Sequence, residues 1–133
     1  MATINGYEYQ FLKLDAFQQY HLARKLSPVL GLLALQTDRE FLADKFPQAF
    51  CALTSSFSQE DAQDVLNRCL DAAQRKQQNA WGPVRINGAV MYADVLEDMG
   101  VMLKIVWGVL EANRLVDFFT ERPSTPAQTA TPA

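Results

Sequence analysis

Residues 85–94 read RINGAVMYAD, and the Ile-Asn-Gly in this stretch already stands at Ile4, Asn5 and Gly6, in TINGYEYQFLKLD. Asn-Gly is the strongest two-residue hairpin signal, because both central positions of a type I′ turn need positive φ and these two residues tolerate it best. Each copy therefore predicts a small hairpin. In the first, Ala2–Ile4 would pair with Tyr7–Phe11, and period-two alternation puts Tyr7, Tyr9 and Phe11 on one face. In the second, Val84 and Ile86 would face Val90 and Tyr92. Hairpins of this size need a cover for their apolar face, so the pair either serve as separate connectors or join into one small sheet.

Between and after the hairpins the pattern is helical. Asp15 is placed to cap AFQQYHLARKL, where Phe17, Tyr20, His21, Leu22 and Leu26 recur at helical spacing. Ser27-Pro28 starts either a second short helix or a continuation after a kink. Asp38 caps REFLADKF, and Pro47 stops that helix or restarts it as PQAFCALTSSF. Ser58, with Asp61 three residues on, opens an amphipathic helix whose apolar face is Ala62, Val65, Leu66, Cys69, Leu70 and Ala73, ending in the polar run QRKQQN.

Asp94 and Glu97 then form an N-terminal box for the longest helix, roughly residues 95–119. One face carries Leu96, Met99, Leu103, Val106, Trp107 and Leu110, and another carries Val101, Ile105, Val109, Ala112 and Val116. A helix apolar nearly all round is either central to its domain or shared with a partner. Gly100 and Gly108 would let another backbone approach it closely. From Pro123 the chain reads PSTPAQTATPA, which cannot bury enough apolar surface to order itself. The expected organisation is a helical domain over 1–121 and a flexible Pro/Thr/Ala tail over 122–133. The expected fold class is mainly α, a compact bundle of about four to six helices with two short Asn-Gly hairpins.

Composition narrows the function. With 133 residues, 49% hydrophobic and 20% charged, the chain suits one soluble domain with a real core. A net charge of −3 without any Lys/Arg cluster argues against nucleic acid as a partner. No signal-peptide run opens the sequence, and the longest apolar stretch, interrupted by Lys104, is about half of a membrane span. Neither membrane nor export is expected. Cys51 and Cys69 lack CxxC spacing and read as two buried reduced thiols. His21, the only histidine, is bracketed by no nucleophile or metal motif and reads as a packed side chain. Asp94, Glu97 and Asp98 suit the start of a helix better than acid–base chemistry. The glycines form no phosphate loop. Core packing accounts for Tyr7, Tyr9, Phe11, Phe17 and Tyr20. No catalytic residue, metal or cofactor is predicted.

Three segments taken together are more specific: Leu14-Asp15-Ala16-Phe17, then HLARKLSP from His21 to Pro28, and the long apolar helix from Met102-Leu103 through Asn113 to Phe118-Phe119. Over roughly residues 4–119 the chain resembles the tail assembly chaperones of long-tailed bacteriophages, a prophage-encoded family. The resemblance implies a protein that acts in the bacterial host cytoplasm, coats the helical tape measure protein and keeps it soluble until tail tube subunits polymerise around it. It also implies absence from the finished virion, and a longer frameshifted product whose extra domain recruits tail tube protein. Adaptable aliphatic and Met side chains suit such a client. Met99, Val101, Met102, Ile105 and Val109 are the candidates for a client surface or for homo-oligomer contacts. Competing readings are a head–tail connector or tail completion protein, and a small prophage regulatory or toxin-binding module.

Overall fold

The computed structural model describes residues 2–36 and 38–120; the tail expected over 122–133 lies outside the described residues. Elements run in the order β1 (Ala2–Ile4), β2 (Tyr7–Phe11), α1 (Ala16–Lys25), α2 (Ser27–Leu33), α3 (Arg39–Leu53), α4 (Gln59–Asp71), β3 (Ala73–Gln77), β4 (Ala80–Pro83), β5 (Arg85–Ile86), β6 (Ala89–Val90), α5 (Ala93–Glu97), α6 (Met99–Ala112) and α7 (Leu115–Thr120). Helices dominate, but a four-stranded antiparallel sheet makes the fold mixed α and β, a correction to the helical bundle expected from the sequence.

Both Asn-Gly pairs sit between paired strand ends, Ile4 opposite Tyr7 and Ile86 opposite Ala89. All four turn residues have positive φ, at 52° and 85° in the first turn and 53° and 83° in the second. The two hairpins do not pair with each other. The partner of the first is β3, with Tyr9 opposite Arg75 and Phe11 opposite Ala73, and β4 completes the order β1-β2-β3-β4. The second forms its own two-stranded ribbon, attached through Val84, whose N–H donates to Ala73 O at 3.1 Å and whose carbonyl accepts from Met91 at 2.8 Å.

The polar run QRKQQN is thus a strand and turn, where the sequence suggested a helix end. α4 stops at Asp71, and the chain turns back at Gln78, which has φ 58°. β3 buries Ala73 and Arg75 and exposes Lys76 and Gln77. Gln10 Nε2 reaches across to Gln74 Oε1 at 2.5 Å, so a polar pair sits on the ladder.

The helix starts follow local capping chemistry. Asp15 accepts from Gln18 N at 2.8 Å, Asp38 from Glu40 N and Phe41 N at 3.0 and 3.1 Å, and Ser58 from Asp61 N at 3.0 Å. Pro47 neither stops nor restarts α3, which runs through it. The long last helix is in fact three. Asp98 is extended and caps α6 by accepting from Gly100 N at 2.9 Å and Val101 N at 3.4 Å, a role expected of Asp94 and Glu97. α6 ends at Asn113, followed by Arg114 at φ 56°, a left-handed residue that L side chains rarely adopt.

α6 is central: it packs against α3, α4, α5, α7, β1 and β2. Its residues 105–110 are all buried. Asn113, also buried, fixes its end to the link between β2 and α1. Its Oδ1 accepts from Leu14 N at 2.7 Å and Gln19 Nε2 at 3.2 Å, and its Nδ2 donates to Leu12 O at 3.1 Å and Val109 O at 3.0 Å. Every polar atom of that side chain is used, which is what permits its burial.

Gly108 is the point where the sheet meets α6, and a Cβ there would overlap the ring of Phe11. In an unobstructed helix Gly→Ala gains about 1 kcal/mol. At Gly108 the overlap reverses the sign: Gly108→Ala should lower unfolding stability in urea by about 1–3 kcal/mol, with part recovered by Phe11→Leu. Gly31, inside α2 with open space where a Cβ would stand, is the control, and Gly31→Ala should raise stability by up to about 1 kcal/mol.

Candidate functional site

Arg75 is the buried charged residue among the described residues. Its guanidinium lies 3.5 Å from the Tyr7 ring centroid and 4.2 Å from that of Tyr92, and its Nη1 donates to Asp94 Oδ1 at 2.6 Å and to Tyr9 Oη at 3.5 Å. Burial opposes the charge of Arg75, but the bonds to Asp94 and Tyr9 outweigh it and hold its pKa above the ordinary value. Burial also raises the pKa of Tyr9. Asp94, expected in a helix-start box, is therefore the anchor of this cluster. Among the described residues no group of three His, Cys, Asp or Glu side chains could hold a metal ion.

Removing Arg75 leaves the Asp94 carboxylate and the Tyr9 hydroxyl without their partner. Arg75→Met should cost about 2–4 kcal/mol, and in a double-mutant cycle Asp94→Leu on that background should recover part of it. Calorimetric unfolding of the four proteins measures both.

The five candidate surface residues separate sharply. Met99 is 62% exposed and Met102 half-buried, whereas Val101 is 6% exposed and Ile105 and Val109 are fully buried. The apolar periodicity of α6 was visible, but its outward direction was not: the helix is wrapped on most sides, so its second apolar face is core as well. Ile105→Asp and Val109→Asp should each destabilise the fold by more than about 4 kcal/mol, by burying an unpaired charge. Met99→Asp should leave it within about 0.5 kcal/mol. Thermal melts of the three variants separate core from surface.

The opposite correction applies to α1. Phe17 and Tyr20, read as core, are 79% and 62% exposed, and His21, read as packed, is exposed with its ring 5.8 Å from that of Tyr20. Leu22 and Leu26 bury the other side of this segment. Tyr20 and Phe118, which is 67% exposed, line a groove of about 290 Å³ between α1 and α7, with Ala16, Ala23 and Leu115. Phe17 stands one turn before Tyr20 on the same helix side. Two exposed aromatic rings on one small, mainly apolar groove, with a third exposed ring one turn away on α1, make an apolar surface of the kind that marks contact sites. The signal was present in the sequence, in the excess of large apolar residues on α1 over what one buried stripe needs.

Cys51 is exposed and Cys69 buried, so the expectation of two buried thiols holds for one of them. Burial pushes the Cys69 thiol up to about 12, which keeps it protonated and unreactive.

No helix among the described residues is long and apolar enough to cross a membrane. No curated protein and no solved structure matches the chain. The family model described as phage tail assembly chaperone protein, TAC, matches residues 5–127. That match runs from the turn of the first hairpin past the end of α7 and takes in nearly all of the fold described above. The chain belongs to the phage tail assembly chaperone family.

Proposed function

We propose that the chain binds the tape measure protein through the aromatic groove between α1 and α7 and keeps it soluble in the host cytoplasm until the tail tube forms around it. The observation that carries this reading is the exposure of Tyr20 and Phe118 on one groove, with the exposed Phe17 on the same helix as Tyr20. A tape measure helix presents repeated apolar stripes, and a shallow groove with aromatic anchors accepts such a stripe at many registers. Met99 and its exposed neighbour Leu96 provide further apolar surface where α5 meets α6. Met102 is half-buried on the same helix, and Val101, Ile105 and Val109 lie in the core.

In this reading the protein acts during assembly, is released before the virion is complete, and reaches tail tube protein through a longer product that extends the chain beyond α7. Homo-oligomers would use the same apolar surface in the absence of client.

Co-expression with fragments of the tape measure protein from the same genome tests the proposal. Fragments insoluble alone should become soluble and co-elute with the chain. The exposed triple variant Phe17→Ser, Tyr20→Ser, Phe118→Ser should keep its fold by circular dichroism and lose co-elution by about tenfold or more. Fragments that stay insoluble beside the parent protein, or a triple variant that solubilises them equally well, would sink it.

A further inference from the structure

A second groove, of about 550 Å³, follows the outer seam of α3 and α6, with Ala2 and Ile4 of β1 on its wall. α6 contributes Lys104, Gly108, Glu111 and Ala112, which fall on one face of the helix, and α3 contributes Glu40, Ala43 and Asp44. The apolar lining includes Phe11 and Trp107. Ala43 and Ala112 put small side chains on this seam, while the space beside Gly108 is already filled by the Phe11 ring.

The rim is acidic, with three carboxylates, Glu40, Asp44 and Glu111, against one ammonium, Lys104. Some carboxylates elsewhere are held in ion pairs, Asp64 with Lys25 and Arg68, Asp71 with Arg85 and Asp94 with Arg75, while others such as Glu60 and Glu97 lie outside both apolar grooves. Glu40 and Glu111 are exposed and have no ion-pair partner among the described residues, and Asp44 meets just its neighbour Lys45, at 3.8 Å. Charges left free beside an apolar floor suit a partner that brings the opposite sign.

We propose that this groove docks an amphipathic helix of another protein, with a stripe of small apolar side chains over Ala43, Ala112 and the Phe11 and Trp107 lining and with Lys or Arg on its flanks. A second copy of this chain is the poorer occupant, since its net charge of −3 would bring acid to acid. The inference does not rest on the aromatic groove between α1 and α7, and each site is disabled by its own substitutions.

The probe is a fluorescein-labelled helical peptide of about 18 residues, long enough to span roughly 27 Å, with an Ala/Leu stripe flanked by Lys. A twin carries Glu in place of every Lys. Anisotropy titration of the full chain should show binding of the Lys peptide and not of its twin. Glu40→Lys with Glu111→Lys should weaken binding by about tenfold. Ala112→Trp, at an exposed position, should weaken it as much by filling the groove, while the exposed control Glu60→Lys should leave it unchanged. The inference is overturned if the Lys peptide does not bind, if the twin binds equally, or if both groove variants bind like the parent. It is also overturned if sedimentation shows the parent to be a dimer that the groove variants dissociate, because the occupant would then be a second copy.

Discussion

The buried guanidinium of Arg75 constrains the rest of the fold. A charge with 6% of its side chain exposed is tolerable only where its solvation is replaced, and here the replacement comes from three parts of the chain at once. β2 supplies Tyr7 and Tyr9, the exit of the second hairpin supplies Tyr92, and α5 supplies Asp94. Sliding β3 by one residue would turn Arg75 to the opposite face and present Gln74 or Lys76 to the two tyrosines, so the cluster selects one register for a strand that carries few apolar residues. Arg75 Nε and Asp94 Oδ2 remain without a hydrogen-bond partner. That marks the pair as a device for orientation more than for net stability.

From this point the geometry of the core follows. Asp94 begins the short α5, Asp98 restarts the chain as α6, and α6 then crosses the sheet at Gly108, where the Phe11 ring takes the space of a missing side chain. Asn113 locks the far end to the Leu12 and Leu14 backbone. The chain breaks at Asp98, which is extended, and again at Arg114. The second break costs a left-handed arginine, a cost offset by the fully bonded Asn113 beside it.

The surface divides by chemistry. The α1–α7 groove is aromatic and nearly uncharged, and the α3–α6 groove is apolar within an acidic rim. A protein of the tail assembly chaperone family has to meet phage tail proteins, and the two grooves would offer such partners different chemistry.

The sequence by itself determined what depends on neighbours along the chain. The Asn-Gly turns at residues 5–6 and 87–88, the caps at Asp15, Asp38 and Ser58, and the apolar helix around residues 101–110 follow from local φ preferences, side-chain reach and periodicity. The segments around Leu14–Phe17, His21–Pro28 and Met102–Phe119 also carried enough family character to point to a tail assembly chaperone. Tertiary structure decided the rest. QRKQQN is a strand because β2 offers it a ladder and a place to bury Arg75, which outweighs its helix-like composition. Ile105 and Val109 are core because six elements surround α6, whereas Phe17 and Tyr20 are surface because Leu22 and Leu26 already fill the buried side of α1. Periodicity identifies the apolar side of a helix; which apolar side meets water depends on how many neighbours the fold supplies, and those neighbours lie far away in sequence.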